Sequence, residues 1–198
     1  RFSTRDRITG PLREEAGMTR QYDAIVVGAG FGGMGAAIEL TRLGIHDLLI
    51  LEREDDLGGT WHVNRYPGLA VDIPSSTYSY SFEPNPHWSR LFAPGEELKR
   101  YAEHVARKYD LRRYMRFGTV VTGATWRDDH WEVATGEETF TARYLVTATG
   151  FLSMPKTPDI AGIESFQGKV IHTAAWQPTD LAGQRVAIIG TGATAVQC

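Results

Sequence analysis

Two short clusters of glycines are the residues in this sequence whose type and spacing indicate a chemical role. The first contains Gly28, Gly30 and Gly33 in the pattern G-x-G-x-x-G, with Phe31 inside it. It follows an apolar run and opens a segment of helix-forming residues. Glycines at these positions allow a tight turn, a close approach of the backbone to a pyrophosphate, and close packing of helix on strand. The cluster therefore predicts a dinucleotide site, with phosphate oxygens bound at the helix N-terminus.

An acidic residue follows at the expected distance. Apolar runs at 23–28 and 47–52 are typical of buried parallel strands, and the segment 31–43 between them predicts a helix that Gly44 ends. The second run ends in Glu52, about 20 residues beyond the glycines, where a carboxylate accepts hydrogen bonds from ribose hydroxyls. Because a carboxylate repels a 2′-phosphate, this site favours FAD or NAD over NADP.

The second glycine cluster has the related pattern G-x-G-x-x-A. It follows the apolar run 185–190, which predicts a buried strand. By the same mechanics it predicts a second pyrophosphate site, and the alternative is an ordinary pair of turn glycines. Its residues are Gly190, Thr191, Gly192, Ala193, Thr194 and Ala195.

The elements between the clusters have a recognisable order. The stretch 53–86 is rich in glycine, proline and aromatic residues and has few regular signals, whereas 94–108 predicts an amphipathic helix. An antiparallel meander of three strands is predicted at 119–126, 130–135 and 138–144, with a further buried strand at 144–148. This order resembles the flavoproteins that bind two dinucleotides, and it favours FAD over NAD at the first cluster.

Four segments follow from this reading. Residues 1–20 are polar and lack an apolar period, which predicts a disordered or non-native leader, with Met18 as a candidate start. Residues 21–152 form the first segment of the FAD-binding domain, 153–182 a linker, and 183–198 the start of a truncated NADP-binding domain. The predicted fold class is α/β: a Rossmann-like domain with a parallel sheet, helices and a three-stranded antiparallel meander, followed by a second Rossmann domain.

Composition excludes several functional classes. The net charge of −3 argues against a nucleic-acid partner, and no apolar run is long enough to span a membrane. The single cysteine, Cys198, excludes a disulfide scaffold and favours the cytoplasm. It also excludes a disulfide reductase of similar architecture, which needs a cysteine pair. We assign no metal site.

Two longer patterns point to one family. The first is Gly-Gly-x-Trp followed by Tyr-Pro-Gly and an aspartate, and the second spaces Phe, Gly, His and Trp. Their residues are Gly58, Gly59, Thr60, Trp61, Tyr66, Pro67, Gly68 and Asp72, then Phe166, Gly168, His172 and Trp176. Together they resemble the motifs of Baeyer–Villiger monooxygenases over about residues 22–198. One position departs from that family: Gln177 follows the tryptophan, where the family has Pro or Asp.

The resemblance implies an activity. In that family NADPH reduces FAD, and O₂ then inserts one oxygen atom beside a ketone carbonyl through a flavin peroxide, which gives an ester or lactone. The family's active-site Arg would lie beyond Cys198, so we expect these 198 residues alone to be inactive. Two alternatives stay open: a flavin monooxygenase that oxidises nitrogen or sulfur, and a non-catalytic FAD-binding module. Gln177 favours the first of these, whereas Trp176 and the Asp72 motif count against it.

Roles for individual residues follow from the same resemblance. Asp72 would lie near the flavin and orient the Arg, and we expect its carboxylate to be partly buried. His172 would affect domain movement rather than transfer protons. Trp61 and Tyr66 either line the flavin or belong to the core, which we favour, and 78–82 is either a flavin contact or a strand. The FAD contacts implied are Gly28, Gly30, Phe31, Gly33, Glu52, Gly59, Thr60, Trp61, Asp72, Tyr78 and Val121, and the NADP contacts are 190–195.

Overall fold

The computed structural model of the protein describes residues 20–198, so the predicted leader lies outside the described residues except for Arg20. The strands are β1 (Gln21–Val27), β2 (Leu48–Leu51), β3 (Met115–Arg116), β4 (Val121–Arg127), β5 (His130–Thr135) and β6 (Thr139–Thr147). The helices are α1 (Phe31–Arg42), α2 (Thr60–Val63), α3 (Gly95–Lys108) and α4 (Ala193–Gln197). Short 3₁₀ turns occur at Ser75–Thr77, Leu111–Tyr114, Ile163–Ser165 and Thr173–Ala175.

The six strands form one mixed sheet in the order β3-β2-β1-β6-β5-β4. The adjacent strands β3, β2, β1 and β6 are parallel to one another. The strands β6, β5 and β4 form the antiparallel meander. The predicted α/β class, with a parallel sheet extended by a meander, is confirmed.

The prediction of separate strands at 138–144 and 144–148 is wrong, because both belong to β6. The first half of β6 pairs with β5, through Phe140 opposite Val133, and β6 also runs parallel to β1 from Thr141 to Thr147. The sequence changes from an alternating to a continuous apolar pattern inside β6 because its neighbours change there. The strand itself does not break.

Both faces of β1 are buried, which explains its continuous apolar run. On one face Ala24 and Val26 pack in a cluster with Met34 and Ile38 of α1 and with Val105 of α3. On the other face Ile25 packs in a second cluster with Leu49, Leu51, Val133, Phe140 and Ala142. The glycine turn that follows β1 is therefore held between two packed layers.

The two long helices end and pack as their sequences predict. After α1, Gly44 adopts φ +83° and donates to Thr41, while Ile45 donates to Leu40, which satisfies carbonyls that the helix leaves free. On α3, Leu98, Tyr101, Ala102 and Val105 are buried and lie on one face. Within residues 20–198 no helix has the length and apolar character needed to cross a membrane.

The segment 185–190 is not a strand, so that prediction is wrong. Val186, Ile188 and Ile189 are all more than half exposed. No described strand lies beside this segment, so its backbone makes no ladder of hydrogen bonds and its apolar side chains have no sheet face to pack on.

Candidate functional site

At the first glycine turn, backbone segments lie very close to one another. Gly28 has φ +104°, and a Cβ on it would lie 2.5 Å from the Ala148 carbonyl oxygen. A Cβ on Gly33 would lie 1.8 Å from the carbonyl oxygen of Gly28. A side chain at either position would therefore collide with backbone, and the turn requires the predicted glycines.

The turn leads directly into the N-terminus of α1. Gly30 is the N-cap, with φ −75° and ψ −172°, and no side chain among residues 20–198 caps this end. Helix N-termini leave backbone N–H groups without partners inside the helix, and the helix dipole makes this end positive. The arrangement fits a pyrophosphate, which supplies both oxygen acceptors and negative charge.

Glu52 lies beside this turn, as its spacing predicted. Its side chain is buried, with 7% exposed. One carboxylate oxygen accepts from the Ala29 amide at 2.6 Å and the other from the Glu54 amide at 3.0 Å. Thr119, two residues before Val121, donates to the Glu52 carbonyl oxygen. The structure therefore brings a carboxylate and the start of β4 to the edge where the glycine turn lies.

Gly58 and Gly59 pack against the first glycine turn, although 30 residues separate the two segments along the chain. The Gly58 amide donates to the Ala29 carbonyl oxygen at 3.0 Å. A Cβ on Gly59 would lie 3.1 Å from the Cα of Gly30. Both glycines of the pair have positive φ, +116° and +55°, which other residues adopt rarely. The two motifs thus form one glycine-lined surface.

An ion cluster of Asp56, Lys99 and Arg112 holds the loop before Gly58 in place, and the sequence pattern did not indicate it. Lys99 Nζ on α3 lies 2.6 Å from Asp56 Oδ2 and donates to the Leu57 carbonyl oxygen, and Arg112 donates to Asp56 Oδ1. Burial raises the pKa of Asp56, but these hydrogen bonds and the Leu57 amide outweigh it and lower the pKa to about 2. Because Lys99 lies 43 residues along the chain from Asp56, no local spacing indicates the pair.

Three aromatic rings line the loop side of the site. Tyr78 makes edge-to-face contacts with both Phe31 and Trp61, each at 5.4 Å between ring centres. Trp61 Nε1 donates to the Tyr78 hydroxyl at 3.0 Å. Burial raises the pKa of Tyr78 despite this hydrogen bond, and the charge of Asp72 raises it further. Trp61 is buried with Val71 and Leu98, which favours the interpretation of Trp61 as a core aromatic, and whether it also lines the flavin stays a prediction.

Tyr80 is a further contact of the turn that sequence reasoning did not single out. Its hydroxyl donates to the Phe31 carbonyl oxygen, and its ring stacks on that of Phe31. Burial raises the pKa of Tyr80 well above its usual range. The alternative of a strand at 78–82 is wrong, because this segment has only an isolated bridge from Tyr80 to Glu83.

Asp72 is exposed, so the expectation of a partly buried carboxylate is wrong. Its neighbour Val71 is buried and donates to Ala93, and successive side chains of an extended segment point to opposite sides. Among the residues that the structure describes, no cation lies within ion-pair distance of Asp72. Its role therefore stays a prediction.

The second glycine cluster has the backbone conformation of the first. Gly190 has φ +132° where Gly28 has +104°, and Gly192 has φ −76° and ψ 175°, close to the values of Gly30. Gly192 is the N-cap of α4, as Gly30 is of α1. The two turns therefore have a similar backbone conformation at their first two glycines, although the strand predicted before the second turn is absent.

The residues of the later motif make local contacts. His172 is exposed, and its Nδ1 accepts from the Ala174 amide at 3.1 Å, which caps the 3₁₀ turn before Trp176. The ring of Phe166 lies over Gly168, where a Cβ would be 2.5 Å from that ring. His172 thus has a structural hydrogen bond to backbone, and the structure does not bring this motif onto the first glycine turn.

An α/β sheet with two glycine turns of similar backbone conformation is typical of oxidoreductases that bind two dinucleotides. A family model described as pyridine nucleotide-disulphide oxidoreductase matches residues 25–198, and the chain belongs to this family. The cysteine pair of disulfide chemistry is missing from these 198 residues, which contain one cysteine.

Within that family the chain is a relative of Baeyer–Villiger monooxygenases, and the resemblance stated from its motifs is confirmed. It is 52% identical over 175 residues to a Baeyer–Villiger monooxygenase of Streptomyces coelicolor, covering 87% of this chain and 34% of that protein. It is 43% identical to one of Pseudomonas aeruginosa, covering 90% of this chain and 34% of that protein. The chain thus spans about a third of the length of these curated relatives.

Solved structures agree with this relationship. A closed crystal structure of cyclohexanone monooxygenase superposes with a TM-score of 0.80 at 41% identity, covering 91% of this chain and 35% of that one. A complex of OTEMO with FAD and NADP also has a TM-score of 0.80, at 42% identity, covering 89% of this chain and 36% of that one.

Proposed function

We propose that the protein carrying this sequence is an FAD- and NADPH-dependent monooxygenase that inserts one oxygen atom beside a ketone carbonyl. The observation that carries the proposal is the pair of similar glycine turns, at Gly28 and Gly190, on one chain. Two such turns suit an enzyme that holds two dinucleotides at once. The similarity to Baeyer–Villiger monooxygenases gives the reaction class.

The residues around Gly28 fit FAD. The backbone of the turn and the first turn of α1 hold the pyrophosphate, and Glu52 accepts hydrogen bonds from the ribose. Gly59 leaves room where a side chain would meet Gly30, so backbone and cofactor can approach closely. Val121 approaches the adenine end from the start of β4. FAD, when bound, supplies the redox chemistry that accepts electrons from NADPH and activates O₂.

The aromatic cluster and Asp72 have separate roles in the proposed site. Phe31, Trp61 and Tyr78 form an apolar wall that excludes water, and burial raises the pKa of the Tyr78 phenol above its usual value. Thr60 follows Gly59 and opens α2 at the same surface. Asp72 carries a charge with no ion-pair partner among residues 20–198, which leaves it available to hold an Arg in the active site.

NADPH is assigned to the turn formed by residues 190–195. Gly190 and Gly192 allow the backbone to approach the pyrophosphate, and the amides of α4 face the same end. Substrates are small ketones together with O₂. We also propose a cytoplasmic location, which rests on the sequence alone.

The test uses the complete protein encoded by the source gene. It is purified, its FAD content is measured, and it is supplied with NADPH, O₂ and either a cyclic ketone or a thioether. A lactone from the ketone, identified by mass spectrometry, supports the proposal. Sulfoxide without lactone indicates the monooxygenase that oxidises nitrogen or sulfur. Bound FAD without NADPH-dependent turnover indicates a non-catalytic FAD-binding module.

A paired substitution tests the role of Asp72. Asp72→Asn keeps the shape of the side chain and removes its charge, and a charged hydrogen bond is worth enough to slow lactone formation about 10- to 100-fold. FAD content should not change. Asp129→Asn, at an exposed turn position between β4 and β5, is the matched control and should leave the rate unchanged. Equal rates for both variants would remove Asp72 from the active site.

A further inference from the structure

The side chain of Tyr66 connects α4 to the loop that carries the Tyr-Pro-Gly part of the first family motif. Tyr66 is 7% exposed, and its hydroxyl donates to Gln197 Oε1 at 3.1 Å. The same hydroxyl lies 3.3 Å from Thr194 Oγ1. Because a phenol has one proton and that proton goes to Gln197, the Thr194 hydroxyl is the donor in the second bond. The result is a directed chain from Thr194 through Tyr66 to Gln197.

The amide of Gln197 then pairs with both backbone groups of one residue. Its Nε2 donates to the Ala70 carbonyl oxygen at 2.9 Å, and its Oε1 faces the Ala70 amide at 3.5 Å. Close contact is needed for this pairing, and Gly68 provides it. A Cβ on Gly68 would lie 2.1 Å from the backbone carbonyl oxygen of Gln197.

Gln197 completes the support of an extended segment. On its other side, Leu69 accepts from the Gly95 amide at 2.8 Å and Val71 donates to Ala93 at 3.0 Å. The backbone groups of Ala70 point the opposite way, as alternate residues of an extended chain do. Within the described residues, the backbone amide and carbonyl of Ala70 bond to Gln197 and to no other group. The segment is therefore fixed between the start of α3 and α4, two residues before Asp72.

We propose that Tyr66 and Gln197 are positioning residues that couple the second dinucleotide site to Asp72. The inference rests on the proposed function, because Thr194 lies inside the cluster assigned to NADPH. A nucleotide seated on that cluster fixes α4. Through Gln197, α4 fixes the backbone at Ala70, and this limits where the Asp72 carboxylate can lie.

The first test is hydrogen exchange in the complete protein. Gln197→Met keeps the length of the side chain and removes both of its hydrogen-bonding groups. The same change at Gln184, an exposed glutamine with a local contact to Asp180, is the matched control. We expect the Ala70 amide to exchange about tenfold faster in Gln197→Met and at the normal rate in Gln184→Met. NADP⁺ should slow this exchange in the unchanged protein and not in Gln197→Met.

The second test is the rate of flavin reduction by NADPH. Tyr66→Phe and Gln197→Met should each lower it about tenfold, and the double variant should lower it no further, because both changes break one chain of bonds. FAD content and visible spectrum should stay the same. Fully multiplicative effects, or unchanged Ala70 exchange in Gln197→Met, would overturn the proposal.

The two proposals fail in different ways. If NADPH does not reduce the unchanged protein, the proposed function is wrong, and nucleotide-free exchange at Ala70 still decides whether Gln197 holds the segment. If reduction is normal and Gln197→Met matches Gln184→Met in every measurement, the coupling is wrong and the proposed function stands.

Discussion

Replacing Asp56 by asparagine should loosen the glycine pair against the first turn. Asp56 receives hydrogen bonds from Lys99 and Arg112, and Lys99 also binds the Leu57 carbonyl oxygen directly before Gly58. Asparagine has a similar shape and no charge. The substitution therefore leaves the Lys99 ammonium, on a side chain that is 18% exposed, without its closest counter-charge.

The size of the effect follows from the pKa of Asp56. Its value of about 2 in the folded protein, against an ordinary 3.8, corresponds to between 2 and 3 kcal/mol of stabilisation at neutral pH. About a quarter of the side chain is exposed, and solvent screening reduces this to about 2 kcal/mol. Because the folded pKa is the lower one, the contribution is complete above about pH 4 and is lost as the pH falls towards 2.

The assay is native-state hydrogen exchange at the Gly58 amide, which donates to Ala29. At pH 7, Asp56→Asn should raise its exchange about 30-fold, the equivalent of about 2 kcal/mol. After correction for intrinsic rates, the two proteins should converge towards pH 2. Asp55→Asn is the control, since Asp55 is 89% exposed and should change little. Equal protection of Gly58 in Asp56→Asn and the unchanged protein at pH 7 would refute this account of the ion cluster.

Two further predictions concern the turn and the far end of α3. Gly33→Ala should yield protein without FAD, or no folded protein, because its methyl group would lie 1.8 Å from the Gly28 carbonyl oxygen. Gly136→Ala is the control and should keep its flavin absorbance, because a Cβ there meets nothing within 4 Å and the φ of Gly136 is not positive. Glu83→Gln should lower the thermal midpoint at pH 7, since Lys108 and His104 hold the pKa of Glu83 below its usual 4.5. The unchanged protein should lose this advantage as the pH falls below about 4.5, and identical pH profiles would contradict the assignment.

The elements that the sequence predicted well are those that local rules specify. The tight turn at Gly28, the C-terminal end of α1 at Gly44 and the buried face of α3 each depend on residues within a few positions of one another. Glu52 could also be placed, because a strand–helix–strand unit has a nearly fixed length and brings its second strand end beside the glycine turn.

Tertiary structure decided the features that depend on distant neighbours. Whether 144–148 continues β6 depends on β1, and 185–190 forms no strand because no described strand lies beside it. The Lys99–Asp56 pair and the bond from Tyr66 to Gln197 join residues 43 and 131 positions apart, and no periodicity in the chain records such pairs. Sequence by itself determined the two glycine turns and their shape, because backbone sterics are local. How those turns meet their supporting loops was decided only by packing, because each contact needs a second surface brought in from elsewhere in the chain.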